Sequence, residues 1–247
     1  MKSVLRGVLA CVLSFCVVLP SVASVVITNT RVIYEAGARE VTVQLSNKGQ
    51  LPVLVSTWID GGNAESRPND AEVPFNITPP LFRLDPEKGQ ALRISLTQAS
   101  MPLDRESVFW LNVHEVPPVS QEAVDGKNVM QLALRTRIKL FYRPKNLQGR
   151  VEDAPARLTW HLAPVSNAMV LRVKNPSAYH VSFASITLQV NGKPLSVVTD
   201  AAMVPPGGSH DFPITASRST PAGSSKVQFE VINDFGGFSP YVGDVLP

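Results

Sequence analysis

Arg135, Arg137 and Lys139 fall within five residues of one another in "QLALRTRIKLFYRPK" (131–145), a run that otherwise alternates like a β-strand. The interior of an ordinary sheet has little use for cations at this density. Guanidinium and ammonium groups donate hydrogen bonds and accept none, so their natural chemistry is the capture of a compensating anion such as a carboxylate.

Other chemistry finds no support in the sequence. His114, His161, His180 and His210 lack the i, i+4 spacing of a helical zinc site, and each reads as a surface or strand-edge residue. There is no Gly-x-Ser-x-Gly elbow and no phosphate-binding glycine loop. Asn76-Ile77-Thr78 matches a glycosylation acceptor, a triplet common by chance. The residues predict no enzyme, no metal and no cofactor.

The elements that must position the cations are strands. "VTVQL" (41–45), "LRISLT" (92–97), "MVLRVK" (169–174) and "VQFEV" (227–231) alternate apolar and polar residues, the pattern of half-buried antiparallel strands. "ITLQVNGKPLSVV" (186–198) predicts a hairpin with a type I′ turn at Asn191-Gly192. No long 3.6-residue period is present, and 21 prolines oppose one. Many short strands between turn formers predict an all-β chain, and two β-sandwiches of roughly 100 residues each fit its length. The polar, proline-bracketed stretch "RPKNLQGRVEDAP" (143–155) separates them, giving domains at 24–146 and 147–247.

Residues 1–23 form the expected leader: Lys2 and Arg6, an apolar run from Val8 to Leu19, and a small-residue cleavage site at Ser21-Val22-Ala23. The run is too short to span a bilayer comfortably. Cys11 and Cys16 within it make a lipoprotein leader the competing reading, which their bulky neighbours oppose. Cleavage after Ala23 removes both cysteines, so the exported chain depends on its core without a disulfide. It also reduces the 23 basic residues to 21 against 20 acidic ones, a near-neutral balance that argues against a nucleic-acid or membrane-surface partner.

Five segments, in order, carry a resemblance: Thr30-Arg31, "TPPLFRLDP" (78–86), "DRESVFWLNVHEVPP" (104–118), "LALRTRIKLFYRP" (132–144) and "INDFGG" (232–237). Together they are similar to the PapD-like periplasmic chaperones of the chaperone-usher pathway. The resemblance implies two immunoglobulin-like sandwiches set as a boomerang, with a pilus subunit in the cleft between them. Such a chaperone lends a strand to a subunit that lacks one, a form of β-augmentation, and delivers the subunit to an outer-membrane usher.

By the same resemblance, Arg31 and Lys139 anchor the subunit's C-terminal carboxylate, and Glu106, Arg143 and Asp234 form an interdomain charge network. Met130, Leu132 and Leu134 form the lent strand. Alternation alone leaves open whether these three fill a subunit or their own core. Strict alternation also places Lys139 on the face opposite Leu132 and Leu134, which predicts a bulge, twist or corner between them.

"VSQEAVDGK" (119–127) makes a short loop before the donor strand, resembling the short-loop branch associated with rod-like pili. The late cysteine pair of some relatives is missing from "FSPYVGDVLP". Self-association of the free chain through its donor strand is a further expectation. A fimbrial subunit or adhesin is the alternative. It would be expected to carry its own N-terminal donor extension and usually a disulfide, and the exported chain has neither.

Overall fold

In a computed structural model, residues 24–246 are described apart from 69, 71, 98–100, 121–123, 166–167, 198–201 and 215–224, so the expected leader lies outside the described residues. The first half contributes β1 (Val25–Ile27), β2 (Arg31–Glu35), β3 (Val41–Asn47), β4 (Val53–Asp60), β5 (Phe75–Thr78), β6 (Leu81–Leu84), β7 (Gly89–Leu96), β8 (Ser107–Val116) and β9 (Leu134–Arg143). They build two sheets, ordered β1-β3-β7-β5 and β2-β9-β8-β4-β6. The inward residues of both sheets, among them Val43, Leu45, Leu92, Leu111 and Leu140, share one core. This is sheet-on-sheet packing of the immunoglobulin type.

The second half contributes β10 (Thr159–Val165), β11 (Ala168–Lys174), β12 (Val181–Val190), β13 (Lys193–Ser196), β14 (Met203–Val204), β15 (Ser209–Pro213), β16 (Ser225–Ile232) and β17 (Phe238–Leu246). They follow a hydrogen-bonded path β13-β12-β16-β17-β10-β11-β15, with β14 paired to β12. A single core around Trp160 holds Leu171 and Phe212 from one end of the path and Leu188 and Phe229 from the other. The path therefore closes on itself as a second sandwich. Four aromatic rings, Trp160, Phe183, Phe212 and Phe229, lie within 5.1 to 6.4 Å of one another wherever they pair.

The alternating segments occupy β3, β7, β11 and β16. The predicted hairpin joins β12 to β13, with φ of 49° at Asn191 and 75° at Gly192. Both lie in the left-handed region that a type I′ turn demands. Between the sandwiches the chain makes two short 3-10 turns, Val151–Asp153 and Pro155–Arg157, and Val151 and Ala154 already pack on the second core.

Candidate functional site

β9 has two unlike faces. Ile138, Leu140 and Tyr142 point into the first core, while Arg135, Arg137, Lys139, Phe141 and Arg143 alternate with them on the opposite face, from which Lys139, Phe141 and Arg143 reach residues of the second sandwich. The antiparallel ladder with β8 runs in constant register from Ser107↔Tyr142 to Glu115↔Leu134. The expected bulge between Leu134 and Lys139 is therefore not there, and the two residues lie on opposite faces of one regular strand.

The ladder stops at Leu134, so 128–133 is not a strand, although the alternation of Met130, Leu132 and Leu134 suggests one. The cause is chemical. β8 is followed by Pro117 and Pro118, which offer carbonyls without N–H donors. The Gln131 side chain takes those carbonyls instead, donating to Pro117 O at 2.7 Å and Pro118 O at 3.0 Å. Met130, Leu132 and Leu134 are 88 %, 67 % and 44 % exposed, so they do not fill their own sandwich.

The other edge of β9 is only half covered. β2 runs parallel to it over Lys139 to Arg143, beginning at the pair Arg31↔Lys139. β1, immediately upstream in sequence, belongs to the opposite sheet, where it pairs with β3. Among the described residues no strand lies beside β9 from Leu134 to Ile138 on that side. The uncovered edge ends where Arg31 and Lys139 stand together.

Neither cation has a carboxylate within ion-pairing distance among the described residues. Arg31 is buried: Nη1 donates to Ile232 O at 2.7 Å, the guanidinium lies 5.8 Å from the Phe141 ring centre, and Nε meets no acceptor. Burial lowers its pKa, which Asp234 and Glu106 partly offset. Lys139 Nζ donates to Ser182 Oγ at 3.2 Å. Burial first, and Arg31 second, lower the Lys139 pKa to about 8. A buried guanidinium with an unused donor beside a half-buried ammonium is costly unless an anion compensates it.

The neighbouring arginines are compensated internally. Arg137 donates to Asp60 through Nε at 3.1 Å and lies 4.6 Å over Trp110. Arg135 donates to Asn112 Oδ1 at 2.7 and 3.0 Å and to Ala64 O at 2.6 Å, and lies 4.7 Å over Trp58. Burial raises the Asp60 pKa, but hydrogen bonds from Arg137, Asn112 and the Gly62 amide outweigh it and the net shift is downward. Of the three clustered cations, Lys139 alone has no carboxylate within ion-pairing distance among the described residues.

Arg143 bridges the sandwiches. It donates to Asp234 at 2.7 and 3.1 Å and to Glu106 at 2.8 Å, with Glu35 at 3.5 Å and the Tyr179 ring centre at 5.5 Å. Burial pulls its pKa down, and the hydrogen bonds and charges of Asp234 and Glu106 more than reverse this. Glu106 is itself buried. Its Oε2 accepts from the His180 amide at 2.8 Å and stands 3.3 Å from His180 Nδ1. His180, expected at the surface or a strand edge, is thus a buried fourth member of the interface, and no spacing in the sequence announces it. Among the described residues no cluster of three or more His, Cys, Asp or Glu could hold a metal, and no helix is long and apolar enough to cross a membrane.

Comparison with known proteins gives one consistent result. Residues 24–148 match the family described as "Pili and flagellar-assembly chaperone, PapD N-terminal domain", and 153–243 match "Pili assembly chaperone PapD, C-terminal domain". The sequence is 46 % identical over 223 residues to the chaperone protein FimB/FhaD of Bordetella pertussis, covering 89 % of this chain and 87 % of that one. It is 44 % identical over 219 residues to the probable fimbrial chaperone YadV of Escherichia coli, covering 88 % of each. The crystal structure of a YadV chaperone superposes with a TM-score of 0.76 at 40 % identity, over 90 % of this chain and 99 % of that one. A Salmonella enterica SafB chaperone, solved in complex with the SafA pilin, superposes with a TM-score of 0.73 at 30 % identity, over 92 % and 98 %.

Proposed function

The chain belongs to the PapD family of pilus-assembly chaperones, and on that premise we propose that it binds, folds and caps pilus subunits in the periplasm by lending them part of β9. The observation that carries this reading is the unpaired cation couple Arg31 and Lys139 at the end of an uncovered strand edge.

The geometry sets the direction of the guest. A strand placed on the open edge beside Leu134 to Ile138 lies in line with β2 and must stop where β2 begins. Running parallel to β9, it brings its C-terminus to Arg31 and Lys139; running antiparallel, it brings a positively charged N-terminus there instead. Charge therefore selects the parallel arrangement and a terminal carboxylate. Each charge-assisted hydrogen bond to that carboxylate contributes about 1.5–3 kcal/mol.

The opposed faces of Lys139 and the donor residues then cease to conflict. A strand lying in the plane of the sheet has its carboxylate in that plane, within reach of the cleft face. Meanwhile Met130, Leu132 and Leu134 project from the other face into the groove of an incomplete subunit sandwich. Burial of each contributes roughly 1.5–3 kcal/mol, and main-chain pairing extends β9 back through 130–133.

Residues 1–23 direct export, and an outer-membrane usher receives the loaded subunit. The brevity of the segment 119–127, part of which lies outside the described residues, resembles the short-loop branch, and the chain would then serve rod-like pili. No cofactor is needed, because exchange of the lent strand for a neighbouring subunit's extension supplies the free energy of assembly. Co-purification from periplasm tests the core of the reading: wild type should carry a one-to-one subunit complex and Lys139→Ala should lose it. Equal recovery with both proteins would remove Lys139 from the anchor.

A further inference from the structure

We propose that Phe235 and Phe238 form a second docking point for the bound subunit, on the second sandwich, receiving an apolar side chain that the subunit carries next to its C-terminus; this rests on the anchoring role of Arg31 and Lys139 given above.

Phe235 is 98 % exposed and Phe238 66 % exposed. Single exposed apolar residues are ordinary, but these two sit on and beside a turn that is locked in place. Asn233 Oδ1 accepts from the Phe235 amide at 3.1 Å and the Gly237 amide at 2.9 Å, and the Gly236 amide donates to Asn233 O at 2.9 Å. Asp234 is held by both Nη atoms of Arg143. Gly236, at φ 81°, packs so closely on the first sandwich that a Cβ there would collide with the Thr30 hydroxyl. The backbone that carries the exposed ring is thus fixed relative to Thr30 and its neighbour Arg31, across the domain boundary.

Position supplies the occupant. Phe235 lines the same cavity, of about 230 Å³, as Arg31, Phe141 and Tyr241. Phe238 pairs across the hairpin with Ile232, whose carbonyl receives the Arg31 guanidinium. Phe235 through the shared cavity, and Phe238 through Ile232, are therefore both next to the Arg31 half of the anchor, and a chain that ends on Arg31 would have its last side chains near them. The rings contribute nothing visible to the fold, whereas an apolar partner would remove them from water.

The test uses a synthetic peptide carrying the C-terminal strand of a subunit that co-purifies with the chaperone, with a free carboxylate or an amidated end, titrated calorimetrically. Phe235→Ser should weaken the free-acid peptide about tenfold, the loss expected for partial exposure of one aromatic side chain. Phe235→Leu should retain most of the affinity. Both variants should melt with the wild type, since the ring contacts solvent. Undiminished peptide affinity in Phe235→Ser overturns the inference while leaving the anchor intact. Equal wild-type affinity for acid and amide overturns the anchor itself. If Phe235→Ser abolishes only self-association in sedimentation, the two rings receive a second copy and the inference is wrong.

Discussion

Arg31 and Lys139 stand opposite one another at the first rung of the parallel ladder between β2 and β9, one buried and one half-buried, with no carboxylate between them among the described residues. Loss of solvent, and secondarily repulsion from Arg31, depress the Lys139 pKa to about 8 in the unliganded protein. A bound carboxylate raises it again. Between those two values binding takes up a proton, so affinity for a subunit tail is flat below about pH 8 and falls above it by up to about tenfold per unit. Titration of a C-terminal subunit peptide between pH 6.5 and 9.5, chosen as roughly symmetric about that value, should show this break. Lys139→Met should bind weakly and without it.

The same depression affects the free protein with a definite sign. Between about pH 8 and the ordinary lysine value near 10.4, the unfolded chain holds more protons at this position than the native one. This residue's contribution to stability therefore rises with pH across that window and is at its least below it. Denaturant unfolding of wild type and Lys139→Met should differ most below pH 8, with the variant the more stable.

Removing Arg143 should leave Glu106 buried with only its His180 contacts and Asp234 without its bidentate partner. A broken buried ion pair costs about 3–5 kcal/mol. In this protein the loss is concentrated at the contact between sandwiches. Arg143→Ala should broaden the interdomain distance distribution in solution scattering while each sandwich keeps its strand signature in circular dichroism. An unchanged distribution would dismiss the network as the determinant of the interdomain angle.

Leu132→Asp should separate stability from function. Leu132 is two-thirds exposed, so unfolding should move by no more than about 0.5 kcal/mol. Subunit co-purification should be lost, because the aspartate would have to enter an apolar groove.

Asp60 accepts from Arg137, Asn112 and the Gly62 amide, which together hold its pKa below the ordinary carboxylate value despite its burial. A depressed acid stabilises the native state above its unfolded pKa, near 3.9, and loses that contribution as pH falls through the native value. Asp60→Asn should therefore flatten the acid limb of the stability profile below about pH 4, and its destabilisation should be largest near neutrality.

Periodicity was informative wherever one face of a strand meets a core. β3, β7, β11 and β16 and the Asn191-Gly192 turn are legible because burial and left-handed φ values impose local residue choices. What local pattern could not reveal lies at long separation. His180 meets Glu106 from 74 positions away, and Arg135 reaches Ala64 across 71. The contacts of Glu106 and Asp234 with Arg143, and the role proposed for Arg31, could be anticipated only through family resemblance, since a lone charge carries no mark of its partner. Alternation also overextended β9: Met130 and Leu132 have strand-like spacing, but pairing needs donors opposite, and Pro117 and Pro118 supply none.

The parallel start of β2 at Arg31 would, under the proposed anchor role, give the chaperone a sense of completeness. If a guest strand ends on this cation pair as proposed, it would be recognised by its last residue, and a subunit that is truncated, or still threaded through the export machinery with its tail inside, would present no carboxylate to hold. The uncovered edge would then act as an end detector. Only finished chains would be admitted to assembly, an inspection performed by strand direction and charge alone.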